Sequence, residues 1–255
     1  MTPKTVACRA QLGSDNHLAD TSRQVCVWLM LAIAVLITST GLAAEPSDFL
    51  PPSDHHSLLS ADLPAGEVGR SRLGLKGPVA NYFQPVAFGG PEGTTFALAQ
   101  PGMVGQGEEK LMAGMLIGAV YRFRITNIPE APGAELYPTV EIIDRTYPPE
   151  GLATSYPIPI NVDLEDLESA MQGRLVTRVV YLEDPQTSLP LAQKSTETHV
   201  MDISESQDAL HVADRFGRPV AIVRIGSVAP PRADALLPQF YFGYPTWAPI
   251  YQTDQ

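Results

Sequence analysis

The chain has 255 residues and a formal net charge of −11, from 17 Lys and Arg against 28 Asp and Glu. Binding nucleic acid depends on basic groups displacing counterions, so a surface of this sign argues against any nucleic-acid partner and against anionic lipid. Both cysteines, Cys8 and Cys26, lie within the first 44 residues, which leaves no thiol for catalysis or for a thiolate metal site in the rest.

The first feature in chain order is the uncharged run Val25–Ala44. A basic approach ends at Arg23, an apolar stretch runs from Val27 to Ile37, and Gly41, Leu42, Ala43 and Ala44 precede Glu45. These are the three parts of a secretory signal: a helix that partitions into the membrane, a charged start, and small residues that fit a peptidase cleft. Residues 1–44 are therefore expected to be a signal peptide, and the protein to be exported to the periplasm, the cell envelope or the medium. The alternative is an uncleaved N-terminal anchor, because twenty uncharged residues just cross a hydrocarbon core as a helix. In that form this segment makes the membrane contact. A lipoprotein cysteine should follow the apolar stretch, whereas Cys26 precedes its centre. The leader holds Lys4, Arg9 and Arg23 against Asp15 and Asp20, a net +1, so the body carries −12. With no cysteine it must be held by its core alone, for which 211 residues suffice.

Residues 45–77 are rich in Pro, Ser, Asp and Gly and read as a flexible acidic arm. From residue 78 to 228 the apolar residues recur with a period of two, the signature of strands with one dry face. Met115–Asn127 is the strongest case, since Tyr121, Phe123 and Ile125 alternate with Arg122, Arg124 and Thr126. Tyr137–Arg145, Leu175–Glu183 and Pro219–Val228 follow the same logic, and Val79–Phe88, Thr94–Ala99, Tyr156–Val162 and Thr198–Ile203 are shorter candidates. Eight strands separated by Pro/Gly turns predict a mainly β fold, an antiparallel β-sandwich of immunoglobulin-like or transthyretin-like appearance. Proline donates nothing to a ladder, so Pro157 and Pro159 mark Tyr156–Ile160 as an edge or crossing strand.

Two helices interrupt the strands. Asp163–Gln172 has Asp163 as its cap, Asp166 three residues on, and Gly173 as its stop. Ser206–Phe216 has Ser206 as its cap, with Leu210, Ala213 and Phe216 as an apolar stripe. Each helix leads directly into a strong strand, which places both at an end of the sandwich or across one sheet. The tail, residues 229–255, interleaves prolines with Phe240, Tyr241, Phe242, Tyr244, Trp247 and Tyr251. It either folds back on its own domain or offers Phe240, Tyr241, Tyr244, Trp247 and Tyr251 to another envelope protein or a glycan.

The chemistry in the sequence is sparse. His199 with Asp202 and His211 with Asp214 repeat one spacing. On the predicted helix the second pair shares a face, where imidazole and carboxylate could hold a cation or form an acid/base pair; on a strand the first pair points to opposite faces. With five histidines and many acids such spacings arise by accident, and a solvated helix surface is the simpler account. Glu165, Asp166 and Glu168 fall at a helix start, where acids favour the dipole. Ser227 is not on a nucleophile turn, and the glycines between Gly102 and Gly114 lead into a strand and not into the helix a phosphate cradle needs. No cofactor follows from these residues.

The block "GAVYRFRITNIPEAPGAELYPTVEIIDRTYPPEG", continuing through "YPIPI", "GRLVTRVVYLEDP" and "ADRFGRPVAIVRIG", resembles a family of uncharacterised exported proteins of planctomycete-type bacteria over roughly Met115–Gly226. The resemblance implies a cell-envelope or periplasmic setting and brings no activity, ligand or catalytic residue with it. The expectation is an exported structural or interaction module with no enzymatic activity. The alternatives are a periplasmic hydrolase, or a metal- or carbohydrate-binding module, using His199, His211 and nearby carboxylates.

Overall fold

The computed structural model describes residues 3–8, 59–100, 107–184, 188, 199–243 and 245–251. Most of the expected leader, the first part of the expected arm and Tyr244 lie outside the described residues. The described residues form two sheets. The larger runs β3-β5-β6-β10-β8-β1-β9 and the smaller β11-β4-β2-β7, built from β1 (Pro3–Cys8), β2 (Phe83–Gly89), β3 (Thr95–Leu98), β4 (Met112–Leu116), β5 (Val120–Thr126), β6 (Thr139–Ile142), β7 (Ile158–Asn161), β8 (Val176–Glu183), β9 (Val200–Ile203), β10 (Gly217–Ile225) and β11 (Trp247–Pro249). All eight predicted strand segments contain strands, so the mainly β reading holds. The sheets are mixed, however, and the expectation of an antiparallel body is corrected: β1 runs parallel to β9, and β2 parallel to β7.

The two sheets share one core. Phe88, Met115 and Ile158 from the smaller sheet pack with Phe123, Ile125, Val140, Val180 and Val223 from the larger. The outer face of the larger sheet carries a second core, covered by α1 (Glu67–Gly74) and α3 (Ala209–Phe216). There Val68, Leu210 and Ala213 meet Val6, Val179, Tyr181 and Ile222. Alternation explains the division, since Val180 and Leu182 face the shared core while Val179 and Tyr181 face the helices. Between them, α2 (Leu164–Met171) closes one end of the shared core with Leu167 and Ala170.

Several local expectations change in the structure. Met115–Asn127 is two strands in different sheets, because Gly118 takes φ +79 and turns the chain between β4 and β5. A Cβ there would lie 2.3 Å from Leu73, so the corner also seats α1. Residues 59–77 are not an extended arm: α1 is folded onto the sheet with Val68 fully buried. Several contacts hold this segment down, among them those of Glu141 on β6 and Arg224 on β10. The Gly69 amide donates to Glu141 Oε1 at 2.7 Å, and Arg224 donates to the carbonyls of Ala61 and Leu63. For the same reason the cap of α3 is Asp208 and not Ser206. One of its oxygens accepts from the His211 amide, while the other accepts from the Ala61 amide and the Ser60 hydroxyl. At α2 the predicted Asp163–Asp166 capping arrangement is present with both reciprocal bonds.

Pro3–Cys8, which fall within the expected leader, form β1 in the larger sheet. Two of the strand prolines sit where a missing donor is tolerated: Pro219 lies at a register shift between β10 and β8, and Pro159 is on β7, an edge strand of the smaller sheet.

Burial pushes the phenols of Tyr121 and Tyr181 up from 10.0 to about 12. Tyr137 is raised as well, by burial and then by its bond to Glu135. Between about pH 10 and about pH 12 the unfolded chain loses phenolic protons that the folded chain keeps, so stability falls as pH rises. Arg122 works in the opposite direction, because burial lowers its guanidinium to about 10, but one guanidinium opposes three phenols. Urea midpoints measured across this range should therefore decline, with tyrosinate absorbance from the buried rings appearing together with unfolding. A flat midpoint contradicts this assignment.

Candidate functional site

The polar side chains converge most densely where β6 ends beside the start of β10. Asp144, 2% exposed, lies two residues beyond the end of β6, and the Ile143 and Asp144 amides both donate to the Val220 carbonyl, at 2.8 and 3.3 Å. A buried carboxylate needs cationic or hydrogen-bonding partners. Asp144 Oδ2 is 3.2 Å from Arg72 Nη2, on the last turn of α1, and 2.9 Å from Arg218 Nη1, on β10. Its Oδ1 accepts from the Arg145 amide at 2.7 Å. Arg218 Nη1 also donates to the Arg145 carbonyl at 2.9 Å.

Glycine makes this approach feasible. A Cβ on Gly217 would lie 2.0 Å from the Leu182 carbonyl oxygen, so only glycine lets β10 come this close to β8 immediately before Arg218. Beyond Asp144 the chain carries rings. The Arg145 guanidinium lies 3.7 Å from the Tyr82 ring centre and 4.8 Å from that of Tyr147, and Arg218 lies 5.0 Å from Tyr147. Tyr147 is in the left-handed region, φ +51, and its side chain is well exposed. Gln84, fully buried, accepts from the Thr146 amide at 3.0 Å and so anchors the loop to β2.

Two guanidiniums, of Arg72 and Arg218, thus pair with one carboxylate in a strongly acidic chain, and that of Arg145 shares the Tyr147 ring with Arg218. Arg145 does not bond that carboxylate through its side chain; it stacks on tyrosine and donates to the Pro78 carbonyl at 3.2 Å. A guanidinium stacked on a ring keeps in-plane N–H groups for an anion, and in Arg145 these are the terminal Nη groups, because Nε is buried; two Nη groups suit bidentate recognition of a carboxylate, sulfate or phosphate.

The residues singled out from sequence lie elsewhere and apart. His199 precedes β9, exposed, and its carbonyl accepts from the Thr5 amide at 3.2 Å. Asp202 is exposed on β9. On α3, His211 is exposed while Asp214 is 3% exposed, so the expectation that they share one accessible face is corrected; Asp214 has turned toward the core with Ala213. Among the described residues no three His, Cys, Asp or Glu side chains are grouped so as to hold a metal ion.

Of the tail aromatics, Phe240 is buried under the Arg122 guanidinium, 4.0 Å from its ring centre, and Arg122 Nε donates to the Phe240 carbonyl at 2.7 Å. Trp247 is half-buried in β11, which pairs with β4, and Tyr121 donates to the Thr246 carbonyl. Tyr241 is half-buried beside Phe240, and Tyr251 is 83% exposed. Tyr121, Arg122, Tyr241 and Pro245 line a shallow crevice between tail and sheet.

Sequence reasoning missed the arginine cluster. Arg72 is 72 positions from Asp144, and Arg218 is 73 from Arg145, so no local spacing joins them. Among the described residues no helix is long and apolar enough to cross a membrane. The chain matches no protein-family model, no curated protein and no solved structure.

Proposed function

We propose that this chain is an exported cell-envelope interaction module that works by binding, with the arginine–tyrosine cluster at Asp144 as its recognition surface. The observation that carries this reading is Arg145, stacked on Tyr82 and Tyr147 while Arg72 and Arg218 take up the charge of Asp144. The ligand it suits carries one isolated anionic group on an otherwise neutral peptide or glycan. A polyanion would meet the long-range repulsion of a chain at −11, whereas a single carboxylate would feel mainly the nearby guanidiniums. Export is supported by the leader-like sequence at 25–44; the facing sheets support a sandwich reading of the body. In the tail, Tyr251 offers a second contact to an envelope partner, since Phe240 and Trp247 are engaged with the body.

The test uses galacturonic acid and a short peptide with a free C-terminus, titrated into the isotope-labelled full chain. Chemical-shift changes should centre on Arg72, Arg145, Tyr147 and Arg218, weaken with added salt, and fall about tenfold in affinity for Arg145→Ala while the urea midpoint stays close to that of the parent. Shifts scattered over the surface, or an Arg145→Ala chain that binds equally well, remove the proposal.

A further inference from the structure

Within the larger sheet, β1 occupies a position that export would empty. Pro3–Cys8 pair antiparallel with β8, Val6 opposite Val179, and parallel with β9, Val6 opposite Met201. Thr5, Val6 and Ala7 are almost wholly buried, and Val6 enters the core between α3 and the sheet. At one end of the strand Lys4 Nζ is 2.5 Å from Glu183 Oε1. Cleavage after Ala44 removes this strand from the body. If residues 25–44 instead span a bilayer, Pro3–Cys8 and β8 stand on opposite sides of it and cannot pair. Either exported form leaves a channel between β8 and β9, bordered by β8, of which every residue but Glu183 is buried in the uncut chain. A long apolar edge of this kind is a template for strand addition.

We propose that this channel is a strand-acceptor site for an extended segment of a second envelope protein, and that Pro3–Cys8 fill it while the leader is attached. The proposal rests on the export reading. The seated strand defines what fits: a cation to meet Glu183, then Thr or Ser, Val and Ala, as in Lys4, Thr5, Val6 and Ala7. Val fills the gap beside Val179, Tyr181 and Leu210, and Ala suits the opposite, crowded face. A second copy is the poorer occupant. No cation in residues 45–255 is followed by Thr or Ser, Val and Ala, and two bodies at −12 repel each other.

The test starts from the folded full chain with a protease recognition sequence inserted between Ala44 and Glu45. After cutting and removal of the leader fragment, a dye-labelled peptide of residues 2–9 is added and its anisotropy followed. The cut chain should bind it, the uncut chain about tenfold less, and a peptide carrying Val6→Asp about tenfold less than the parent. A full chain carrying Val6→Asp, in which β1 is expelled with the leader still attached, should accept the parent peptide in trans. A folded cut chain that ignores the peptide, or that dimerises through the site, overturns the proposal. So does unfolding of both the cut chain and the Val6→Asp chain, because β1 is then a permanent part of the core. Sequencing the N-terminus of the native protein reads export separately. Peptide binding together with an intact native N-terminus on a chain recovered free in the cytosol rejects export and leaves a strand site, whereas a cleaved N-terminus without peptide binding rejects the site alone.

Discussion

Replacing Arg178 with Ala should cost about 3–5 kcal/mol of stability, the range found when one partner of a buried ion pair is removed. Arg178 is 2% exposed on β8, where it faces the shared core. Its Nη1 donates to the Asn161 carbonyl at 3.0 Å, and its Nη2 meets Asp163 and, at 2.5 Å, Asp166. Asp166 has no exposure at all, so without Arg178 its carboxylate stays in the interior with that positive charge no longer beside it. Asp163 behaves differently because its side chain is 44% exposed and water can replace the pairing. Asp163→Ala should therefore cost about 1 kcal/mol, the usual loss for an N-cap. Urea unfolding of the two variants checks the contrast. Equal losses would mean that Arg178 serves only to cap α2 and does not neutralise a buried charge.

Phe123→Ala should lose a similar amount, about 3–5 kcal/mol, through transfer and cavity terms together. Phe123 is fully buried on β5, and its ring centre lies 4.1 Å from that of Phe88 on β2. Phe88 in turn lies 6.0 Å from Phe96 on β3. The three rings fasten the smaller sheet to the larger, so the cavity opens at the junction of the layers, where neighbouring backbones cannot close it. A double-mutant cycle with Phe88→Ala should show coupling of about 0.5–1.5 kcal/mol, the excess that an aromatic pair carries beyond its buried area. Additive losses would show that the rings act only through burial.

Much of the body was legible in the sequence because local pattern and tertiary environment agree there. Alternation in Tyr121–Ile125 reports the pleat directly, the apolar run Val179–Leu182 marks a strand buried on both faces, and Asp163 with Asp166 states the start of α2 in four residues. Helix α1 was not legible. It has no side-chain cap and buries only Val68 and Gly69, and its place depends on Glu141 and Gly118, far along the chain. The split of Met115–Asn127 was hidden for a related reason: Gly118 interrupts neither the apolar composition nor the alternation on either side of it. The His211–Asp214 pair failed because spacing on a helix gives adjacency but not which flank faces the core.

The candidate site was the least legible part, since it consists of one side chain from each of several distant segments. Arg145 in "DRTY" and Arg218 in "GRP" look like ordinary surface cations until the sheet order sets β6 beside β10.

By itself the sequence determined the strand-rich character of the body, the two helices within it, the strongly negative charge and the absence of a thiol outside the first 44 residues, because each follows from residue type or from short-range period. Only the tertiary structure decided that two strand pairs are parallel, that Pro3–Cys8 enter the larger sheet, and that Arg72 and Arg218 meet at Asp144 beside the stacked Arg145. These are matters of which distant segments become neighbours, and that depends on packing over the whole core, which no short window of residues contains.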